Sequence, residues 1–275
     1  MSGPSVVVVA GGAAGSDGGT GDGGTGDGSA RAPVDAVKAA LADAGGAVIE
    51  RVAADRVDGD GGETGVGETA TADADAVFAV GDEALLAFAA VDVACPVFPI
   101  ATGSHRYSIP AADVAAAVDA LDAERYETVS HPVLDVAVDG ERAGAAVADV
   151  TLMTTEPARI SEYGVGSPDD WRDTVRADGV VAATPLGSAG YARDAGGPIL
   201  APETGLVAVP VSPYAMHATS WVLQPPVTLS VEREEAAVSL LLDDAVARQV
   251  PAETPIDVRV GRELPLVRPQ TIPVR

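Results

Sequence analysis

In the first half of the chain, apolar blocks alternate between strand-like runs and segments of helical spacing. The chain opens with the valine run SVVVVAG at 5–11, which is typical of a parallel strand because both faces of such a strand are covered. Apolar residues then recur at helical spacing from Ala32, with Pro33 at the expected helix start, and Gly45 and Gly46 precede the strand-like AVIERV. Further strands are predicted at 76–80 and 96–101, and further helices at 84–92 and 110–121. This alternation predicts a parallel sheet with helices on its faces.

From about His131 the pattern changes to short strands. Residues 133–154 form two apolar stretches joined by an Asp-Gly turn, which is the signal of a β-hairpin. Later segments at 205–213, 226–243 and 255–260 are also strand-like, with prolines and charged turns between them. We therefore expect an α/β domain with a parallel sheet over residues 1–128, followed by a β-rich, antiparallel, sandwich-like domain over residues 129–275.

Residues 11–32 form a Gly/Asp-rich segment that contains a literal G-x-G-x-x-G at 19–24. A dinucleotide fingerprint needs a tight turn that leads directly from strand to helix, so that helix amides reach the phosphates. Here the segment is too long for such a turn, and its aspartates would repel phosphate. We interpret it as a flexible, solvated insertion.

The charge of the chain changes the expected partners. The formal net charge is −24, and Lys38 is the only lysine among the 17 basic residues. A chain this acidic repels nucleic acid and anionic membranes, so neither is an expected partner. Because salt screens such self-repulsion, the composition indicates a protein adapted to a halophilic cytoplasm.

Stability is therefore predicted to depend on salt. We expect the melting temperature to fall as KCl is diluted from molar to about 0.1 M, because the Debye length grows from about 3 Å to about 10 Å and the carboxylates repel each other over longer distances. Thermal melts across a KCl series measure this effect. A melting temperature that does not respond to KCl would contradict the halophilic interpretation.

Several classes of site and location are not indicated. The sequence has no run of 18 or more apolar residues and no basic segment ahead of an apolar one, so we expect a cytoplasmic protein without a membrane span. Cys95 is the only cysteine, which excludes an intramolecular disulfide. The histidines at 105, 131 and 217 lack metal-ligand spacing, so no metal site is predicted and packing or surface roles are expected.

Two segments carry candidate chemistry. VGDEALL at 80–86 follows a predicted strand, where Asp82 has two interpretations: an N-cap of the next helix, or a carboxylate directed at a substrate hydroxyl. DGVVAATPLGSAGYARDAGGPIL at 178–200 is an apolar strand stopped by Pro185 and followed by small residues, whose backbone another surface can approach closely. Tyr191 is the one large residue in that loop and can stack on a flat ring.

The second segment resembles the pattern D-G-x-x-x-S-T-P-T-G-S-T-A-Y-S-x-S-A-G-G-P-I of the NAD kinases. The matching positions are Asp178, Gly179, Thr184, Pro185, Gly187, Ser188, Tyr191, Ala195, Gly196, Gly197, Pro198 and Ile199. VGDEALL resembles the motif G-G-D-G-T-x-L of the family, with Glu83 in place of a glycine, and ATGSHRY at 101–107 resembles N-x-G-x-L-G-F. AVADV at 146–150 resembles A-L-N-[DE]-V, with Ala148 in place of the asparagine.

The resemblance implies an activity and a set of roles. It implies phosphoryl transfer from ATP or polyphosphate, with Mg²⁺, to the 2′-hydroxyl of the adenosine ribose of NAD, and a homo-dimer or homo-tetramer. It implies that Asp82 is the catalytic base. The residues that it assigns to NAD binding are Asp149, Arg176, Asp178, Thr184, Gly187, Ser188 and Tyr191.

Two alternatives to an active NAD kinase stay open at this point. One is a catalytically impaired relative that binds a dinucleotide as a sensor or partner subunit. The other is a lipid kinase or another small-molecule kinase. The replacement of motif residues by Glu83 and Ala148 is the feature that favours the first of these.

Overall fold

The computed structural model describes residues 3–11, 27–54, 74–103, 107–156, 159–167, 171–215 and 219–269. Most of the Gly/Asp-rich segment expected as an insertion lies outside the described residues, as do residues 55–73, His105 and His217. The chain divides into two compact units. The first comprises Met1–Val129 and Leu264–Arg275, and the second comprises Ser130–Glu263.

The first unit is built on a parallel sheet. Its strands are β1 (Ser5–Gly11), β2 (Ala47–Ala54), β3 (Ala76–Val80) and β4 (Val97–Ile100), in the order β2-β1-β3-β4, and each neighbouring pair is parallel. Every residue of β3 and β4 is buried, as expected for strands covered on both faces. Leu266, near the C-terminus of the chain, pairs in parallel with Val97.

Helices complete the first unit. They are α1 (Asp27–Asp43), α2 (Asp82–Leu86) and α3 (Val114–Asp122), and 3₁₀ turns lie at Ala87–Ala89 and Ala111–Asp113. Helix α1 begins at Asp27, so the expected start at Pro33 is wrong and this proline lies inside the helix. The reason is that residues 27–31, DGSAR, carry no large apolar side chain, so the helical spacing of Val34, Val37 and Leu41 begins only after Pro33. Apolar periodicity therefore marks only the later part of the helix.

The second unit is almost entirely β-structure. Its six-stranded sheet has the order β12-β11-β10-β7-β14-β15, and all its neighbouring pairs are antiparallel. The strands of this sheet are β7 (Asp149–Thr154), β10 (Gly179–Ala183), β11 (Leu206–Val211), β12 (Trp221–Leu223), β14 (Val238–Leu242) and β15 (Ala245–Val250). The short helix α4 (Tyr191–Asp194) follows a 3₁₀ turn at Gly187–Ala189.

A second layer of strands faces this sheet. Its strands are β5 (Thr128–Val138), β6 (Glu141–Ala146), β8 (Ser161–Ser167), β9 (Trp171–Ala177), β13 (Val227–Arg233) and β16 (Pro255–Val267). The pairs β16–β13, β13–β8, β8–β9 and β5–β6 are antiparallel. The last residues of β16 belong to the first unit, which the sequence did not indicate.

Side chains from both layers form the core of the second unit. Leu152 and Val180 come from the six-stranded sheet, while Tyr163 and Leu229 come from the other layer, and all four are fully buried. The expected fold class, a parallel α/β part followed by a β-rich antiparallel part, is thereby confirmed. Within the described ranges, no helix combines the length and hydropathy that crossing a membrane requires.

Candidate functional site

The loop after β10 folds back over that strand. Along β10 the side chains alternate: Val180 and Ala182 enter the core between the two layers, whereas Val181 and Ala183 enter a second apolar cluster. That second cluster includes Ala192 of α4 and Leu200, together with residues of β11. Residues 184–200 therefore form a packed cover on the outer face of the sheet.

Two hydroxyl groups hold this loop together from inside. Thr184 is fully buried, and its Oγ1 donates a hydrogen bond to the carbonyl oxygens of Val147 and Ala148, at 2.9 Å each. The Ser188 hydroxyl, also buried, donates to the Pro185 carbonyl at 2.8 Å and accepts from the Leu200 N–H at 2.9 Å. Both predicted binding residues thus make their hydroxyl contacts within the protein.

Because Gly187 has no side chain, the backbone of the loop packs directly against the neighbouring turn. A Cβ atom built on Gly187 would lie 2.2 Å from the Ala148 carbonyl oxygen, a distance that no side chain tolerates. The Gly187 N–H also donates a hydrogen bond to the Thr184 hydroxyl oxygen at 3.2 Å. The bare backbone of this loop therefore serves close packing against residues 147–148 of the same unit.

Asp149 lies directly beside this contact. It begins β7, pairs with Ala183 of β10, and is 8% exposed. Its carboxylate accepts a hydrogen bond from the Thr151 hydroxyl at 2.9 Å. Burial raises the pKa of Asp149 to about 7, and the charge of Asp243 acts in the same direction while the Thr151 hydroxyl opposes the shift. The structure therefore places a carboxyl that titrates near neutral pH at the edge of the loop.

Asp243 is a site residue that sequence reasoning missed. It lies in the turn between β14 and β15 with a φ of 56°, a conformation that aspartate and asparagine adopt more readily than most residues. Its carboxylate accepts hydrogen bonds from the N–H groups of Val147, Ala148 and Asp149. The only signal in the sequence is the Asp-Asp pair between two apolar strands, which equally describes an ordinary turn.

Tyr191 is an exposed aromatic side chain of the loop. It begins α4 and is 43% exposed, so its ring is accessible to a planar ligand. Partial burial raises the pKa of its phenol, and the charges of Asp149 and Asp178 raise this pKa further. The phenol therefore lies within the electrostatic reach of both carboxylates.

Arg176 and Asp178 lie at the other end of β10. Gly179 pairs with Met153, whereas Ala183 pairs with Asp149, so the strand separates the two ends by roughly 13 Å at the usual rise per residue. The Arg176 guanidinium lies over the ring of Tyr214, 5.4 Å from its centroid. Asp149 and Asp178 thus lie near opposite ends of one strand, and the Tyr191 phenol is within electrostatic reach of both.

Asp82 belongs to the first unit. It is the first residue of α2, and Gly81, with a φ of 85°, occupies the N-cap position without a side-chain capping bond, so the interpretation of Asp82 as an N-cap is wrong. A Cβ atom on Gly103 would lie 3.0 Å from Asp82 Oδ2, so the carboxylate packs against this glycine. Residues 80–86 and 101–103 therefore meet within the first unit. Glu83 is exposed in the first turn of α2, where an acidic side chain is favourable.

The described ranges give no other obvious centre. Within them, no three histidine, cysteine, aspartate or glutamate side chains are grouped so as to hold a metal ion. A cavity of about 790 Å³ lies in the second unit and includes none of the predicted site residues. Its lining residues include Trp171, Arg172, Ser230, Glu232 and Asp257.

Comparison with known proteins identifies a family model and several curated relatives. Residues 147–267 match the family model described as the ATP-NAD kinase C-terminal domain. The NAD kinase of Methanosarcina barkeri is 38% identical over 112 residues, covering 39% of this chain and 41% of the relative. The NAD kinase of Picrophilus torridus is 27% identical over 150 residues, covering 54% of this chain and 56% of the relative. The chain thus matches only about half, or less, of the length of these curated relatives.

Solved structures resemble the chain over nearly its whole length. An NAD kinase from Archaeoglobus fulgidus, crystallised in complex with ATP, superposes with a TM-score of 0.67 at 18% identity, covering 98% of this chain and 95% of that one. Yeast NADH kinase, complexed with NADH, superposes with a TM-score of 0.70 at 16% identity, covering 97% and 83%. At such identities the superpositions establish the fold. Residues 147–267 are thus similar in sequence to the C-terminal domain of the ATP-NAD kinases, and the chain as a whole shares the fold of the two solved kinases.

Proposed function

We propose that this protein is an NAD kinase, which transfers a phosphoryl group from ATP or polyphosphate to the 2′-hydroxyl of the adenosine ribose of NAD. The observation that carries the proposal is the packed group formed by the 147–149 turn and the loop after β10, because both segments match motifs of the family. Two solved relatives, one in complex with ATP and one with NADH, support the same substrate class.

In this proposal the second unit binds the dinucleotide. The ionised Asp149 carboxylate accepts hydrogen bonds from hydroxyl or amino groups, because a carboxylate has acceptors only. The Tyr191 ring stacks on one of the two bases, and Arg176 offers a guanidinium to the pyrophosphate. Thr184, Gly187 and Ser188 act through the loop that they hold together, whereas Asp178 supplies a half-buried carboxylate at the far end of β10.

The catalytic role belongs to Asp82 of the first unit. In phosphoryl transfer the protein need not form covalent bonds to the substrates. Catalysis depends on positioning the nucleophile and neutralising the charge of the donor. Asp82 is exposed and accepts a proton from the ribose hydroxyl as a general base. Mg²⁺ would be held mainly by the donor phosphates and would neutralise part of their charge.

The accessible ring of Tyr191 gives a direct test of dinucleotide binding. We expect Tyr191→Ala to weaken NAD binding by about 1 to 3 kcal/mol, the usual contribution of a base stacked on an aromatic ring, without loss of fold because this side chain is exposed. Tyr191→Phe, which keeps the ring, is the matched control and should retain most of the affinity. Calorimetry in molar KCl measures both variants. Equal affinities for wild type and Tyr191→Ala would remove this ring from the site.

The activity itself is tested by NADP formation with purified protein in molar KCl and Mg²⁺, with ATP and polyphosphate offered separately. We expect NADP from at least one donor, and none after chelation of the metal. Binding of NAD without turnover on any donor would favour the alternative function, a dinucleotide sensor or partner subunit. Glu83 is the observation that favours this alternative, because it adds a negative charge next to Asp82 where the family motif has glycine.

The assembly state follows from the family resemblance, and the location follows from the composition and charge of the chain. A homo-dimer or homo-tetramer in a halophilic cytoplasm stays a prediction. Light scattering coupled to size exclusion, performed in molar KCl, measures the mass of the assembly. A monomer under these conditions would contradict the predicted state.

A further inference from the structure

The backbone N–H groups of the turn that carries Asp149 all donate hydrogen bonds to a single carboxylate. Oδ1 of Asp243 accepts from the N–H groups of Val147, Ala148 and Asp149 at 3.1, 2.7 and 3.1 Å, and Oδ2 also lies 3.1 Å from the Val147 nitrogen. The Asp243 N–H in turn donates to the Asp149 carbonyl at 2.8 Å. These bonds join two segments that are far apart in the sequence.

This arrangement requires an anion. Successive backbone N–H groups that converge on one point form an anion-binding concavity, and hydrogen bonds to a charged acceptor are about twice as strong as neutral ones. An asparagine in place of Asp243 has one acceptor oxygen, and its amino group would face an N–H group of the turn. The three amides therefore select a carboxylate at this position.

The carbonyl groups of the same turn are held from other directions. The Val147 carbonyl accepts from His131 Nε2 and from the Thr184 hydroxyl, each at 2.9 Å. The Ala148 carbonyl accepts from the N–H and the hydroxyl of Thr184, also at 2.9 Å. Asp243 thus complements these contacts, because it accepts hydrogen bonds from the N–H groups of the same turn.

Resting on the proposed function, we propose that Asp243 is the positioning residue of the dinucleotide site, whose carboxylate fixes the Asp149 carboxyl in place by binding the amides of residues 147–149. Asp243 acts on the dinucleotide only through Asp149 and its turn. Its effect has two separable parts: a geometric part, set by the three hydrogen bonds, and an electrostatic part, set by its charge.

The electrostatic part has a measurable consequence. The Asp243 charge adds to burial in raising the pKa of Asp149 to about 7. The other groups that face this carboxyl are the Thr151 hydroxyl on its own strand and the Tyr191 phenol on α4, while His131 on β5 contacts the turn through the Val147 carbonyl. Loss of the Asp243 charge should therefore lower the pH at which Asp149 ionises.

Two variants separate the two parts of this effect. Asp243→Asn removes the charge and part of the hydrogen bonding, so NAD affinity should fall at least tenfold and the midpoint of its pH dependence should move to lower pH. Asp243→Glu keeps the charge but displaces the carboxylate by one methylene, so affinity should fall while the midpoint stays near that of wild type. Asp244→Asn, in the same turn and exposed, is the charge-matched control and should change neither quantity.

The measurements distinguish failure of this proposal from failure of the proposed function. Calorimetry with NAD measures the affinity and the midpoint of its pH dependence. Urea unfolding from pH 5 to 8, compared between wild type and Asp149→Asn, measures the ionisation of Asp149 in the absence of ligand. If wild type does not bind NAD, the proposed function fails, and the unfolding midpoint still tests the electrostatic part. If Asp243→Asn does not fold, Asp243→Glu remains the test of position. Wild-type affinity in Asp243→Glu, or an unchanged midpoint in a folded Asp243→Asn, would overturn the proposal.

Discussion

Asp149→Asn is expected to make the protein more stable than wild type at pH 8. The ionised Asp149 carboxyl is buried and lies near the charge of Asp243, whereas a neutral amide of the same shape avoids both penalties and still accepts from the Thr151 hydroxyl. The difference between a pKa of about 7 in the folded protein and the ordinary 3.8 corresponds to about 4 kcal/mol.

The pH dependence of this effect follows from the direction of the shift. Because the folded state holds the Asp149 proton up to about pH 7 and the unfolded state releases it near 3.8, wild-type stability falls as the pH rises between these values. The stability of the Asp149→Asn variant does not decline in this way, because the amide carries no titrating proton. The gap in the free energy of unfolding should therefore widen by about 3 kcal/mol from pH 5 to pH 8 and then level off.

Urea unfolding at constant KCl concentration measures this gap. Asp139→Asn is the matched control, since it removes the same charge from an exposed hairpin turn where the φ of 52° suits asparagine. A gap that does not vary with pH would show that Asp149 ionises normally in the folded protein. NAD binding provides the functional counterpart: wild-type affinity should increase as the pH rises through 7, and the variant should bind weakly at every pH.

Asp82→Asn is expected to reduce NADP formation by roughly 10² to 10⁴-fold, the usual contribution of a general base. NAD binding should stay close to that of wild type, because the proposed binding residues belong to the second unit. A fall in kcat with an unchanged affinity is therefore the expected signature. Single-turnover assays with the better of the two donors, together with calorimetry, measure both quantities.

Glu83→Gln is the control for this experiment, because it removes one negative charge from the adjacent residue of the same helical turn. Its rate should equal or exceed that of wild type, since less negative charge then faces the donor phosphates. Equal turnover by Asp82→Asn and wild type would refute the assignment of the base. If only Glu83→Gln were active, the native residue at this position would be the cause of impaired catalysis.

The elements that the sequence predicts best are those whose apolar pattern is complete. The runs at β1, β3 and β10 predict buried strands, and the structure contains them because continuous apolar runs are stable only when both faces are covered. The start of α1 was missed because its first turns carry no apolar stripe. The return of β16 to the first unit was also missed, because strand order depends on long-range pairing that local pattern does not encode.

The candidate site shows a similar limit. Motif positions identified Thr184 and Ser188, yet a hydroxyl in a sequence gives no sign of its partner. The Thr184 hydroxyl donates to the 147–148 turn, and the Ser188 hydroxyl donates within the loop. Asp243 could not be recognised at all, because its partners lie almost one hundred residues earlier in the chain. Asp149 was identified by the family motif, but the rise in its pKa comes from burial, which only the fold supplies.

The contact between Gly187 and Ala148 bears on how the protein could be redesigned. Thr184 donates to carbonyl oxygens of the turn, and the contact at Gly187 leaves no space for a side chain. The loop and the turn therefore behave as one preorganised body, and little conformational entropy is lost when a ligand binds. Directed evolution toward other nucleotides should therefore leave the small residues of this loop fixed. Adaptive substitutions would concentrate at Tyr191, whose exposed side chain can change without disturbing the packing beneath it.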